Sequence, residues 1–270
     1  MLVLIEQTNH CDLQCVSCPN RLNQRPRGIM SAANFRRIVD QINHLKDERV
    51  ALHGFGEPLL SSYLWENLKY LDSRGFTKVD LTSNGMSWID SDFKKITEFK
   101  CISWVRISLN SSSKEVMEKI NGGADFEKVI NTIRKLITIK PRFKLHVQLM
   151  QCDLTSGESQ KDFEKLIGSE DFIFTTKPMH DFYGQVKDGL SDKRSVDCEQ
   201  VFGALPMMHW DGDLVGCCGD DTKSQVYGNA LRDGIFSEKT LIKRKLLSEA
   251  LKIRNYSELP LCQICVQRSN

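Results

Sequence analysis

Six short apolar runs, each followed by a helical pattern, constrain the fold of this chain more than any other feature of its sequence. The predicted strands span residues 2–7, 50–53, 78–82, 102–109, 143–150 and 172–176. The segments between them show helical spacing, as in Phe35, Ile38 and Ile42 behind a capping Ser31. Strands that alternate with helices form parallel sheets, because each helix carries the chain back to the same starting edge. The sequence therefore predicts an α/β fold with a parallel sheet, curled into a barrel or part of one.

Three of these strands alternate between polar and apolar residues. Parallel strands that are covered by helices on both faces are usually apolar throughout. The alternation predicts that one face packs on helices while the other lines a polar lumen, with ligand groups near the carboxyl ends of the strands. The polar members are Asp80 and Thr82 in the third strand, Trp104, Arg106, Ser108 and Asn110 in the fourth, and Lys144, His146 and Gln148 in the fifth.

The pattern changes after about residue 189. Residues 206–217 predict a β-hairpin around Asp211 and Gly212, and residues 238–253 predict a basic helix. We therefore expect a first domain over residues 1–189 and a smaller second domain over residues 190–270.

Charge and hydropathy exclude several functional classes. The chain has 37 Lys and Arg against 35 Asp and Glu, a net charge of +2, so no bulk basic field attracts nucleic acid. The first apolar run, residues 1–5, is too short for a signal sequence or a membrane span. We expect a cytoplasmic protein whose partners include neither nucleic acid nor a membrane.

Ten cysteines require an explanation in such a chain. Cytosolic thiols are kept reduced, so clustered cysteines there are more often metal ligands than disulfides. Cys11, Cys15 and Cys18 follow the first strand in a C-x3-C-x2-C pattern. Three thiolates in so short a loop can bind one iron–sulfur cubane and leave its fourth iron open, whereas a zinc site normally takes four ligands. Zinc remains the alternative.

Residues 11–18, CDLQCVSC, resemble the cluster-binding motif of the radical S-adenosylmethionine (SAM) superfamily. Gly56-Glu57-Pro58 after the second strand resembles the family's Gly-Gly-Glu segment, with Phe55 in place of the first glycine. The resemblance implies a partial (β/α)6 barrel, a 4Fe–4S cluster on Cys11, Cys15 and Cys18, and SAM on the open iron. The cofactor-binding positions that it implies are Phe55, Gly56, Glu57, Ser83, Asn84, Ser108, Asn110 and Gln148.

A second cysteine set closes the chain. Cys198, Cys217, Cys262 and Cys265 resemble the ligands of the shortened, one-cluster form (twitch) of the SPASM auxiliary domain found in radical SAM enzymes. The resemblance implies a second 4Fe–4S cluster. Cys218 is the alternative to Cys217, and a four-cysteine zinc ribbon is the alternative to the cluster.

The two resemblances together imply an enzyme in which a 5′-deoxyadenosyl radical abstracts a hydrogen atom from the substrate. An auxiliary cluster with four cysteine ligands suits electron transfer. We therefore expect an oxidoreductase that dehydrogenates a secondary alcohol of a small polyol, sugar or aminocyclitol in natural-product biosynthesis. The resemblance is strongest to aminocyclitol dehydrogenases. The expected electron donor is a flavodoxin or a ferredoxin. Substrate groups would come from Arg106, His146, Gln148, Lys177 and His180.

Three other functions remain open at this stage. Epimerisation would need a thiol that returns a hydrogen atom to the substrate, for which Cys152 or Cys218 is available. Peptide modification uses the same radical chemistry on a peptide substrate. A zinc-binding adaptor would have no catalytic activity.

Overall fold

The computed structural model describes residues 2–22, 24–179, 186 and 207–269. The strands are β1 (Leu2–Ile5), β2 (Arg49–Ala51), β3 (Val79–Ser83), β4 (Ile102–Asn110), β5 (Lys144–Gln151), β6 (Ile173–Pro178), β7 (Met207–Met208), β8 (Asp213–Val215) and β9 (Val226–Asn229). The helices are α1 (Ala32–Gln41), α2 (Leu64–Ser73), α3 (Asp90–Lys95), α4 (Lys114–Ile120), α5 (Phe126–Thr138), α6 (Gln160–Ile167), α7 (Glu238–Lys252) and α8 (Pro260–Ser269).

The strands form one sheet in the order β6-β5-β4-β3-β2-β1-β7-β8-β9. Strands β1 to β6 are parallel and lie in chain order, which confirms the predicted α/β fold with a parallel sheet. The arrangement is consistent with a partial barrel followed by a small antiparallel region. The predicted cap of α1 is present, since Ser31 Oγ accepts a hydrogen bond from the Asn34 amide.

The two faces of the parallel sheet differ as the alternation predicts. Val105, Ile107 and Val147 are fully buried in the core between the sheet and the helices. Arg106 and His146, which alternate with them along β4 and β5, are only half-buried. Helix α5 covers the apolar face with Phe126, Val129, Ile130, Ile133 and Leu136.

The C-terminal strands extend the same sheet. Strand β7 pairs in parallel with β1, with Ile5 opposite Met208, and β8 and β9 follow in antiparallel order. The sequence pattern predicts the β7–β8 hairpin but neither β9 nor the short helix α4. The expected domain boundary at residue 189 lies outside the described residues, and so do Cys198 and His180. No helix in the described part of the chain is long and apolar enough to span a membrane.

Candidate active site

The three-cysteine loop follows β1 and is fixed in place by backbone hydrogen bonds from two sides. The amide of Gln14 donates to the carbonyl of Gly122 (2.7 Å), and the amide of Val16 donates to that of Ile120 (2.9 Å). On the other side, the amide of Glu57 donates to the carbonyl of His10 (2.8 Å). The loop that carries Cys11, Cys15 and Cys18 is therefore held between the segments after β2 and after α4.

Two glycines allow this close approach. A Cβ atom at Gly56 would lie 2.2 Å from the carbonyl oxygen of Thr8, and one at Gly122 would lie 2.7 Å from that of Gln14. Both distances are far below van der Waals contact, so any larger residue would push the cysteine loop away. The family resemblance identifies Gly56. It does not identify Gly122, for which the only sequence signal is a Gly-Gly pair before α5.

The thiols of this loop are half-buried and repel one another as thiolates. Burial raises the pKa of Cys11 to about 11 and that of Cys18 to about 12. Burial raises the pKa of Cys15 further, and the neighbouring Cys18 and Cys11 add to this rise. A bound cationic metal centre would lower these pKa values again, because it stabilises the thiolates.

The chemistry of this donor set fits an iron–sulfur cluster. The loop supplies three cysteine thiols between residues 11 and 18. Thiolates are the usual ligands of iron–sulfur clusters, and in a cubane each thiolate binds a different iron. The loop thus suits a cluster that Cys11, Cys15 and Cys18 would hold.

Glu57 and Asn84 lie beside the cysteine loop. The amide of Asn84 donates to Glu57 Oε2 (2.7 Å), and the amide of Leu59 donates to Glu57 Oε1 (3.2 Å). The side-chain amide of Asn84 donates to Asp12 (2.7 Å) and lies 3.9 Å from Cys11 Sγ. Burial raises the pKa of Glu57 to about 7, against the effect of these hydrogen bonds. The arrangement offers a carboxylate to an ammonium group next to the cysteines.

A chain of side-chain amides connects the ends of β4 and β5 to the same loop. Asn121 Oδ1 accepts from Asn110 (2.7 Å) and lies 3.9 Å from Cys15 Sγ. Gln148 donates to Asn110 Oδ1 (3.1 Å), and Asn121 donates to the carbonyl of Ser108 (3.1 Å). The structure therefore brings Ser108, Asn110 and Gln148 together near Cys15. The sequence reasoning missed Asn121, because no motif marks it.

Two of the expected cofactor positions have other contacts. Ser83 Oγ accepts hydrogen bonds from the amide of Gly85 (3.1 Å) and from Trp88 Nε1 (3.0 Å), which orders the turn after β3. The ring of Phe55 packs with Met207 and Val215 of the C-terminal strands. These contacts give both side chains a structural role at the border of the site.

The three expected catalytic residues occupy two places. Arg106 and His146 lie opposite each other in the register of β4 and β5, and both contact Trp104, at 4.6 and 5.2 Å from the centre of its ring. Cys152 follows the end of β5, where Thr155 Oγ1 lies 3.9 Å from its Sγ. Cys152 lies six positions along the chain from His146, which corresponds to about 20 Å in an extended strand. The structure does not bring Cys152 together with the other two.

Part of the second cysteine set lies around Gln225. Its side chain donates to Cys262 Sγ (3.2 Å), and its carbonyl accepts from the amide of Gly216, which precedes Cys217. Cys217 and Cys262 are buried, whereas Cys218 is exposed. Cys265 lies on the same helix as Cys262, its side chain being outside the described set.

A sequence model of the Radical SAM superfamily matches residues 5–167 of this chain. A probable GTP 3′,8-cyclase of Methanococcus maripaludis is 26% identical, over 87% of this chain and 91% of that protein. The mycofactocin maturase MftC of Mycobacterium ulcerans is 25% identical over 48% of this chain, and the match covers only 35% of MftC.

Solved structures share the fold. BtrN in complex with AdoMet and 2-DOIA aligns with a TM-score of 0.62 at 18% identity, covering 96% of this chain and 90% of BtrN. The anSMEcpe enzyme with bound AdoMet aligns with a TM-score of 0.66 at 16% identity, covering 96% of this chain and 88% of that one. Since the family match spans more than half of the sequence and includes the three-cysteine loop, the chain belongs to the radical SAM superfamily.

Proposed function

We propose that this radical SAM enzyme is an oxidoreductase that dehydrogenates a secondary alcohol of a small polyol, sugar or aminocyclitol. The observation that carries the proposal is the presence of two cysteine sites in one fold. The loop of Cys11, Cys15 and Cys18 follows β1, Cys217 lies in the turn after β8 of the same sheet, and Cys262 lies on α8, where Gln225 contacts it. Two such sites suit a reaction that removes two electrons from its substrate.

The residues near the cysteine loop would hold SAM. Glu57 offers its carboxylate to the amino group of the methionine part, and Ser108, Asn110 and Gln148 offer polar atoms to the ribose and adenine. When bound, the reduced cluster and SAM supply the 5′-deoxyadenosyl radical, and the auxiliary cluster supplies an acceptor for the second electron. Cys198, Cys217, Cys262 and Cys265 would hold that auxiliary cluster.

The substrate change is balanced in atoms and electrons. A secondary alcohol loses the hydrogen atom on its carbinol carbon to the nucleoside radical, then loses the hydroxyl proton and one electron, and becomes a ketone. Arg106 and His146 would orient the substrate by hydrogen bonds, because both present polar atoms to the lumen.

GTP cyclisation is a second candidate, favoured by one observation. The probable GTP 3′,8-cyclase of M. maripaludis aligns over most of both chains. The same type of SAM site would serve that reaction, with a nucleotide in the lumen in place of a polyol.

The test is an anaerobic assay of the reconstituted, reduced protein with SAM. Candidate polyols, aminocyclitols, a short precursor peptide and GTP are offered separately, and 5′-deoxyadenosine and product mass are measured. We expect a product that is two hydrogens lighter than a polyol substrate. An unchanged mass with deuterium uptake from heavy water means epimerisation, and a cyclised nucleotide means the second candidate. Either result overturns the dehydrogenase proposal.

The matched variant pair for this assay is Cys15→Ala and Cys101→Ala. Both remove a thiol, but Cys101 lies in the hydrophobic core and its Sγ donates to the carbonyl of Leu68. We expect Cys15→Ala alone to abolish 5′-deoxyadenosine formation. Colourless protein that binds zinc and cleaves no SAM would mean that the chain is a zinc adaptor.

A further inference from the structure

Four polar side chains form one row across the lumen face of the sheet: His53, Thr82, Arg106 and His146, here called the lumen row. Thr82 lies opposite Arg106 in the β3–β4 register, and Arg106 lies opposite His146 in the β4–β5 register. Ala51 lies opposite Asp80, so His53, two residues further on, reaches the level of Thr82. Four neighbouring chain segments thus present a polar group at the same height.

Each member of the lumen row has a buried polar atom that lacks a hydrogen-bond partner among the described residues. These atoms are His53 Nδ1, Thr82 Oγ1, Arg106 Nε and His146 Nδ1. Buried polar atoms in folded proteins almost always have a hydrogen-bond partner, from the protein or from ordered water. The four atoms of this row are therefore free to bind water or a polar ligand that enters the lumen.

The charges in and around the lumen row favour a ligand of one sign of charge. Arg106 is always protonated in proteins. Burial lowers the pKa of His53 to about 3, and the positive charges of Arg106, Lys177 and Arg49 add to this effect. Burial and Arg106 also lower the pKa of His146. Both histidines are neutral, and the row has a net positive charge.

The nearby carboxylate is already engaged. Asp80, one step deeper in the lumen, accepts hydrogen bonds from Arg49 Nε (2.7 Å) and from Ser103 Oγ (2.7 Å). Arg106 instead places its guanidinium over the ring of Trp104, at 4.6 Å; the charge of Asp80 acts on Arg106, but no carboxylate of the described residues forms an ion pair with it. Glu57 lies at the cysteine end of the site and is held by backbone amides. A half-buried guanidinium in this situation is unfavourable until an anion binds it.

We propose that the substrate carries an anionic group, a phosphate or a carboxylate, which Arg106 binds while His53, Thr82 and His146 contribute hydrogen bonds. This inference rests on the proposed function in one respect: both take the lumen as the cavity that binds the substrate. It narrows the substrate class to phosphorylated or acidic polyols and sugars, and it disfavours protonated aminocyclitols. A cationic amine at this depth would meet Arg106 as a like charge.

The test measures binding without turnover. The reconstituted protein is kept oxidised and saturated with SAM, and calorimetry compares D-glucose 6-phosphate, D-gluconate, D-glucose and D-glucosamine. We expect one of the two anionic probes to bind at least on the order of tenfold more tightly than D-glucose, as for a hydrogen bond to a charged group. Which anionic probe binds distinguishes phosphate from carboxylate. Equal binding of all four probes, or tighter binding of D-glucosamine, overturns the proposal.

Arg106→Gln should remove the preference for the anionic probe, and Arg106→Lys should keep most of it. The matched control is Arg36→Gln, since Arg36 is an exposed arginine paired with Glu66 on the outer helices. Thermal unfolding of each variant checks that it is folded. The comparison of the four probes on the wild-type protein tests the proposal even if a variant fails to fold.

The carboxylate of SAM is the competing occupant of the lumen row. If the anionic preference is present without SAM but disappears when SAM is saturating, the row binds SAM and the proposal is overturned. Because no step of this test depends on catalysis, its result is independent of the product analysis that tests the dehydrogenase function.

Discussion

Arg25 and Asp221 form a buried ion pair that joins the segment after the cysteine loop to the turn after Cys217, with Arg25 Nε 2.8 Å from Asp221 Oδ1. The same guanidinium binds both carboxylate oxygens of Glu6, at 2.8 and 3.0 Å. One arginine therefore pairs with two buried carboxylates, one from each part of the sheet. No sequence motif marks this network.

Replacing Arg25 by Met should destabilise the fold strongly. The change leaves Glu6 and Asp221 buried without a counter-charge, and breaking a buried pair in this way costs about 3–5 kcal/mol. The measurement is the free energy of unfolding in urea. The control is Arg36→Met, which breaks an exposed pair and should cost about 1 kcal/mol or less. Similar losses of unfolding free energy in both variants would contradict the role of Arg25 as the counter-charge of two buried carboxylates.

Replacing Gly56 by Ala should abolish iron binding by the three-cysteine loop. The added Cβ would lie 2.2 Å from the carbonyl oxygen of Thr8, so the loop cannot keep its position. The control is Gly75→Ala, where the φ of +78° is strained but nothing lies within 4 Å of the new atom. That variant should lose about 1 kcal/mol of stability and keep its iron. Iron analysis after anaerobic reconstitution compares the two, and full iron in Gly56→Ala would refute the prediction.

Cys217→Ser and Cys218→Ser should differ in iron content. Cys217 is buried near Gln225 and Cys262, whereas its neighbour Cys218 is exposed. With two 4Fe–4S clusters the wild type holds about eight iron atoms per chain, and we expect about four in Cys217→Ser and about eight in Cys218→Ser. The reverse result would assign Cys218 as the ligand, and a wild type with about four would exclude the auxiliary cluster.

SAM affinity should decrease as the pH falls below about 7. Burial raises the pKa of Glu57 to about 7, and only the ionised carboxylate attracts the amino group of SAM. Below this pKa the apparent Kd should rise, by up to about tenfold per pH unit. In Glu57→Gln the affinity should be weak and independent of pH between 5.5 and 8, a range of about 2.5 units around the pKa. A pH-independent wild type would rule out this role for Glu57.

His209 should make stability depend on pH. Its ring is fully buried, both of its nitrogens lack partners among the described residues, and burial lowers its pKa to about 3. The unfolded chain takes up the proton near pH 6.5, and the folded protein does so only near pH 3. Stability from this group is thus complete above about pH 6.5 and falls by about 1.4 kcal/mol per pH unit below it.

His209→Leu is the matching variant. It should remove this part of the acid dependence and also raise stability at pH 7, because an apolar side chain leaves no buried nitrogen unsatisfied. Urea unfolding of both proteins at about pH 7.5 and about pH 5.5, on the two sides of the ordinary histidine pKa, provides the comparison. Parallel pH profiles for the two proteins would contradict the prediction.

The sequence predicts the parts of this structure that depend on local spacing. The six parallel strands follow from apolar runs, and the polar face of β4 and β5 follows from their alternation. The C-x3-C-x2-C spacing places three thiols in one loop, and the resemblance to a known family supplies Gly56 and Glu57.

The remaining features depend on contacts that spacing does not encode. Asn121 reaches Cys15 from 106 positions away, and Arg25 reaches Asp221 from 196 positions away. Such pairs are set by how the segments pack. The ring of Phe55 turns toward β7 and β8, because the C-terminal strands form an apolar surface beside β1 that the sequence pattern does not place there.

The pairing of β7 with β1 has a consequence for how this protein can be divided. Without residues 207–229, the amide and carbonyl groups along one side of β1 would be exposed, and an exposed strand edge recruits strands from other molecules. A truncated protein that retains only the SAM-binding part should therefore self-associate into aggregates. We therefore expect the two cysteine sites to fold as one unit, so that neither can be isolated by trimming the other away.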